Sequence, residues 1–222
     1  MISLIIPIRG EAPEVAERFR PFSIPGETEI LIADCGDGPE TTRAFARLGA
    51  RIVAGPGSRG LRLDRAARES RGDVLFFVHA DSRPPENALS AIAETLETGA
   101  VAGAFSLAYE NQTAALAWIA WWANLRSRRL GLPFGDQGLF CRREAYERSG
   151  GYPDLVICDD VDIVWRVKRA GPFAVLPEKT VTSPRRYREN GAFRQVLRNW
   201  RVLLGYFAGV SSERLERWYN RR

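Results

Sequence analysis

The stretch Val74-Leu75-Phe76-Phe77-Val78-His79-Ala80-Asp81 sets five apolar residues in a row and then ends on a histidine and an acid. An apolar run without alternation belongs to a strand covered on both faces, as in a parallel sheet. Three further strands are predicted upstream, at residues 2–8, 29–33 and 51–54. Helical patterns separate them, at 13–22, 39–48 and 61–71, and another follows at 85–97. Pro39 and Pro85 stand where a first helical turn accepts proline. This alternation across residues 1–98 predicts an α/β fold, an open Rossmann-like sheet flanked by helices.

Beyond residue 98 the pattern is less regular. Strands are expected at 102–108, 137–141 and 173–176, and helices at 113–130, 159–169, 192–207 and 212–219. There is no internal repeat, low-complexity tract or linker, so one domain over 1–222 with a helical tail is expected.

Composition narrows the function. The chain has 222 residues, 45% hydrophobic and 27% charged, as in a folded globule. The net charge of +5 is unevenly spread: residues 1–110 hold 12 basic and 16 acidic side chains, residues 111–222 hold 20 and 11. That split argues against a uniformly basic nucleic-acid binder, and no nucleic-acid partner is expected. Three scattered cysteines and a single histidine exclude a zinc finger or a histidine metal cage. A Ser-His-Asp triad could run only through His79. The first residues lack a basic leader and no apolar run is long enough to cross a bilayer, so a cytoplasmic location with reduced thiols is expected.

Open parallel sheets bind ligands beyond the carboxyl ends of their strands. Glu11 follows the first predicted strand, Asp34 and Asp37 the second, and His79-Ala80-Asp81 the fourth. A solvent edge collects carboxylates anyway, but acids from three strand ends would meet here. The region lacks GxGxxG and GxxxxGK[ST], which leaves a dinucleotide site or a P-loop unsupported. Carboxylates can accept from ribose hydroxyls and from the ring N–H of uracil or guanine. Asp81 is a candidate anchor for Mg²⁺ or Mn²⁺ bridging diphosphate oxygens.

Ser3-Leu4-Ile5-Ile6-Pro7 with Glu11, Ile32-Ala33-Asp34, and Phe76 through Asp81 resemble the opening of family 2 glycosyltransferases of the GT-A fold. Gly135-Asp136-Gln137-Gly138 and Asp159-Asp160 resemble that family's acceptor-side loop and its paired-acid catalytic motif. The chain is similar in particular to a small bacterial branch with a His-Ala-Asp motif, often labelled arsenosugar-biosynthesis-like. The resemblance implies a mixed, mainly parallel GT-A sheet with a nucleotide-sugar half at 1–98, an acceptor and catalytic half at 99–190, and a basic amphipathic tail at 191–222. It implies that Pro7 and Glu11 line the nucleotide pocket, that Asp34 reads the base, and that Asp81 binds the metal. His79 and Ala80 complete that donor motif, with His79 in place of the family's first Asp. Gly10 stands where the family usually has Asn, Asp64 occupies another position often held by Asn, and Gln137 of the acceptor-side loop is expected to touch the nucleotide sugar.

Inverting transfer from a UDP- or GDP-sugar needs a base on the acceptor hydroxyl and neutralisation of the departing diphosphate. The resemblance makes Asp160 the base, beside Asp159, with Asp136 orienting the acceptor. Asp159, Asp160 and Asp162 also suit a helix start, where the dipole favours acids. Arg185 and Arg186 fall where larger members carry Gln-x-x-Arg-Trp, here without the Gln and with Tyr187 in place of Trp, and Arg59 and Arg62 open a helix. Their forked guanidinium groups match phosphate and offer an alternative to a weakened metal site. A catalytically inactive nucleotide- or membrane-binding module is the alternative to an enzyme.

Trp118, Trp121, Trp122 and Leu125 recur at helical spacing, followed by Arg126, Arg128 and Arg129. Phe193, Leu197, Trp200, Leu204 and Phe207 repeat the theme among Arg194, Arg198 and Arg201. Such faces either bury against the sheet or a second copy, as in a homodimer, or lie peripherally on the cytoplasmic face of a membrane holding a lipid-linked acceptor.

Overall fold

The computed structural model describes residues 1–36 and 38–220. Strands β1 (Ile2–Ile8), β2 (Thr28–Asp34), β3 (Arg51–Ala54) and β4 (Val74–Phe77) run parallel. Their crossovers are a 3-10 helix at Pro13–Phe22, then α1 (Pro39–Arg47) and α2 (Arg59–Glu69). After β5 (Ser82–Arg83) come α3 (Ala88–Glu97), β6 (Ala102–Tyr109), α4 (Ala114–Leu130), β7 (Leu139–Arg142) and α5 (Arg143–Ser149). The chain continues through α6 (Asp159–Val167), β8 (Phe173–Thr182), α7 (Arg185–Asn190), α8 (Ala192–Phe207) and α9 (Ser212–Asn220).

All eight strands form one sheet in the order β3-β2-β1-β4-β7-β6-β8-β5. It is mixed: β7 runs antiparallel between β4 and β6, and β5 antiparallel to β8. Alternate residues of a strand face opposite sides, and here both sides are covered. Leu4, Ile6 and Ile8 pack with Phe19, Phe45 and Ile92, while Ile5 packs with Leu31, Leu63, Phe77 and Ile163. That double burial is why β1 is apolar at nearly every position.

Several boundaries differ from those expected. Pro85 lies ahead of α3, its carbonyl accepting from the Ala88 amide, and residues 13–22 wind as a 3-10 helix. Strand β8 extends to Thr182, and β5, α5 and α7 were not expected. The short pairing of Ser82 with Thr182 and Arg83 with Val181 draws Asp81 against Ser183, whose amide donates to the Asp81 carbonyl. Helices α8 and α9 fold back onto the start of α6, where Leu215 packs with Val202, Leu203, Cys158 and Val161.

Candidate active site

Ser58 caps α2 by accepting from the Leu61 amide, which places Arg59 in the first helical turn. Arg59 crosses to α6 and grips Asp159 with two hydrogen bonds, Nε to Oδ2 at 2.9 Å and a terminal nitrogen to Oδ1 at 2.5 Å. Asp159 is only 2% exposed and its partner 34%, so this is a nearly buried ion pair. The approach needs Gly60: a Cβ there would sit 2.3 Å from the Pro153 carbonyl oxygen. Cys158, just before α6, takes the left-handed conformation with φ 64°. Asp159 and Asp160 then open α6 as consecutive helical residues, about 100° apart around its axis, so that Asp159 meets Arg59 and Asp160 the neighbouring loop.

Asp160 accepts from the Gly135 amide at 2.8 Å and from the Val161 amide at 2.9 Å. Burial works against its charge, but Arg59 and those two amides outweigh it and hold its pKa below the ordinary carboxylate value. Asp160 is therefore ionised at neutral pH, and each oxygen keeps a second lone pair. His79 goes the other way: burial and the Arg59 charge push its pKa down to about 4, so the ring is neutral. Its Nε2 lies 3.3 Å from an Arg59 terminal nitrogen, which can only donate, so Nε2 accepts and the proton sits on Nδ1. Gly135 is required by space, because a Cβ would fall 2.6 Å from His79 Nε2.

Asp136 sits in the short turn Gly135–Gln137 with Oδ1 buried and without a hydrogen-bond partner. Burial raises its pKa to about 6; the nearby Arg126 pulls down, while Asp160 and Asp81 push up. Arg126 itself stacks 3.5 Å over the Phe134 ring and donates to the Leu132 carbonyl.

Arg59, His79, Asp136, Asp159 and Asp160 line one cleft of about 690 Å³ at the carboxyl ends of β1 and β4. Pro7, Glu11, Arg59, Arg62, His79, Ala80 and Asp81 form one side of it, and Asp136, Asp159, Asp160, Arg185 and Arg186 the other. Arg62 is buried and donates to the Ile8 and Ala33 carbonyls, bracing the ends of β1 and β2. Three residues singled out in the sequence are not among the cleft-lining residues. Asp34 accepts from the Gly36 amide and the Thr42 hydroxyl, Asp64 from Tyr146 and Arg68, and Gln137 is fully buried between Ser127, Phe134 and Phe105. Asp37 lies outside the described residues. Sequence reasoning missed Tyr109, Tyr187, Gln195, Asn199 and Tyr219, which line the cleft from β6 and α7–α9. Gln195 is buried, accepts from Asn190 and lies in hydrogen-bond reach of Asn199 and Tyr219, contacts that form only once α7, α8 and α9 fold together and that spacing alone does not carry.

Among the described residues no three His, Cys, Asp or Glu side chains gather into a cation cage. Asp81 is exposed at the cleft, while the His79 Nε2 lone pair already faces Arg59. This donor set fits a Mg²⁺ or Mn²⁺ ion that needs one carboxylate and completes its shell with phosphate oxygens and water. It does not fit a resident all-protein site.

Neither a protein-family model nor a curated protein sequence matches the chain. Solved structures do match. The mannosyltransferase PcManGT from Pyrobaculum calidifontis, in complex with GDP-Man and Mn²⁺, superposes with a TM-score of 0.69 at 19% identity over 94% of this chain and 63% of its own. S. aureus TarS 1-349 gives 0.66 at 15% identity, covering 85% of this chain and 62% of that one. The fold is GT-A. Glucosyl-3-phosphoglycerate synthase from Mycobacterium tuberculosis, in complex with Mn²⁺, UDP and glucosyl-3-phosphoglycerate, gives 0.57 at 19% identity over 89% and 77% of the two chains. The chain spans about three-fifths of the length of the TarS and mannosyltransferase chains.

Proposed function

We propose that the chain is a family 2, inverting glycosyltransferase of the His-Ala-Asp branch that uses a UDP- or GDP-sugar. The observation that carries this is the cleft itself. On a GT-A sheet, it joins one exposed metal-competent acid (Asp81), an ionised acid at a helix start (Asp160), and arginines at both walls. The neighbouring structures, which hold UDP-GlcNAc, UDP or GDP-Man, support a nucleoside-diphosphate donor.

In this reading the acceptor hydroxyl attacks the anomeric carbon from the side opposite the diphosphate. The bond between that carbon and the β-phosphate oxygen breaks, the nucleoside diphosphate leaves with the electron pair, and Asp160 takes the hydroxyl proton on a free lone pair. Asp136 orients the acceptor. Pro7 and Glu11 border the nucleotide, and Arg185 and Arg186 face the diphosphate. A Mg²⁺ or Mn²⁺ ion shared by Asp81 and the diphosphate would neutralise charge on the leaving group.

The inactive-module reading draws on His79, whose Nε2 is engaged by Arg59 instead of lying open. Comparing wild type with Asp160→Asn separates the two. An enzyme loses about 10²–10⁴-fold in turnover while donor binding persists; equal release of nucleoside diphosphate by both proteins defeats the proposal. Loss of turnover in EDTA, restored only by Mn²⁺ or Mg²⁺, would exclude arginines as a substitute for the cation.

A further inference from the structure

Helices α4 and α8 each turn one face inward and one outward. Inward, Leu116, Ile119 and Ala120 pack on Leu107 and Tyr109 of β6, with Ala192 and Val196 of α8 joining the same cluster. Outward, α4 shows Trp118, Trp121 and Trp122, the first 58% exposed. On α8, Phe193, Leu197, Trp200, Leu204 and Phe207 follow i, i+4, i+7, i+11, i+14 spacing, a straight stripe. Phe193 is 82% exposed and Leu204 62%. Trp165 of α6 extends the stripe, its ring 6.1 Å from that of Phe207.

The charge on these helices selects the occupant. Neither α4 nor α8 contains an Asp or Glu; of their six arginines, Arg129 and Arg194 stand exposed, whereas Arg126 and Arg128 donate to Leu132 and Ser106, and Arg198 and Arg201 lie over the Tyr219 and Trp218 rings of α9. A second copy docked through this face would oppose arginine to arginine with no acid on either helix. A nucleic-acid strand would meet the arginines and stack on the tryptophans, but it offers nothing to Leu197 and Leu204. An anionic leaflet answers both, with phosphate for the guanidinium groups and an apolar boundary for the rings and aliphatic chains.

We propose that the outward faces of α4 and α8 form a docking surface for an anionic phospholipid bilayer. The side of α8 away from the stripe carries Gln195, Asn199, Val202 and Leu203 into the cleft. One helix thus touches lipid on one side and the reaction site on the other. Resting on the glycosyltransferase reading, this makes the acceptor a membrane lipid whose hydroxyl enters the cleft beside α8.

Flotation of the full chain with vesicles tests it, using phosphatidylcholine alone and with about 40% phosphatidylglycerol, at about 0.15 M salt. Wild type floats with the anionic vesicles only. A Trp121→Ser/Leu197→Ser double variant, with unchanged circular dichroism, binds at least ~10-fold more weakly. Arg129→Gln and Arg194→Gln each weaken binding about fivefold. Absence of flotation, equal binding by the variants, a stable dimer broken by Leu197→Ser, or an oligonucleotide complex lost in Trp121→Ser overturns the docking surface. UDP and GDP binding in the same samples reads the donor site separately. Nucleotide binding without flotation defeats the docking surface alone. Flotation without nucleotide binding defeats the glycosyltransferase reading and the acceptor assignment, and supports the docking surface.

Discussion

The two walls of the cleft handle their polar groups differently. On the wall built by β1, β2, β4 and α2, the cations serve the chain itself: Arg59 grips Asp159, and one terminal nitrogen of Arg62 donates to the strand-end carbonyls while its buried Nε has no partner. On the wall built by the Gly135–Gln137 turn and α6–α9, capacity is left over. Asp136 Oδ1 is buried without a partner, and Asp160 carries two amides yet keeps lone pairs. A carboxylate oxygen with a free lone pair can accept a proton or a hydroxyl, whereas a guanidinium can only donate. In the proposed reaction the first wall holds the donor, and the second takes the proton of the acceptor hydroxyl.

The comparison breaks most visibly at Arg59. Arg59→Met strands Asp159 as a nearly buried, uncompensated charge, with an expected loss of about 3 kcal/mol in urea unfolding. That is the low end for a buried pair, because Arg59 is one-third exposed. A loss under about 0.5 kcal/mol would show that Arg59 does not serve the chain in this way. Gly135→Ala comes next. Its φ is not in the left-handed region, so the variant tests space alone, and the clash with His79 and Asp160 should cost about 1–3 kcal/mol and abolish turnover. Full activity would mean that the Asp160 loop is not held where it is described.

Asp136 sharpens the contrast through pH. Its folded pKa, about 6, exceeds the usual 3.8, so the protonated carboxyl is favoured by folding. Stability from this group is intact below pH 3.8 and is lost as pH rises through about 6. Asp136→Asn should therefore raise the melting temperature above pH 6, by about 2–4 °C per kcal/mol recovered. The gain should fade toward pH 4, while acceptor turnover falls at every pH. A melting temperature unchanged at pH 7.5 would contradict an unpartnered carboxylate. The smallest effect is expected outside both walls, where Trp121→Gln should shift stability by under about 0.5 kcal/mol. A larger loss would mean that this ring is packed.

Much of this was legible in the sequence. Strands β1 to β4 announce themselves because burial on both sides leaves them continuously apolar, and the acids at their ends follow from where parallel strands point. The direction of β7 was not legible, since three buried apolar residues followed by an arginine look alike in either orientation. Nor could spacing distinguish Asp81, which faces the cleft, from Asp34 and Asp64, whose oxygens are taken by Thr42 and Tyr146. On α4 the sequence offers two apolar faces, and only the packing shows that Leu116, Ile119 and Ala120 turn inward while the tryptophans stay outside. Gln195 and Tyr219 reach the cleft from a stretch that reads as an appended tail, because the return of α8 and α9 is a tertiary event.

The central claim is that the cleft binds a nucleoside diphosphate, and calorimetric titration with UDP and GDP, each with and without Mn²⁺, tests it most directly. The account predicts saturable binding of one of the two, with a Kd between about 1 µM and 1 mM, tighter with Mn²⁺ and losing that Mn²⁺ dependence in Asp81→Asn. Absence of binding by either nucleotide under both conditions would contradict it.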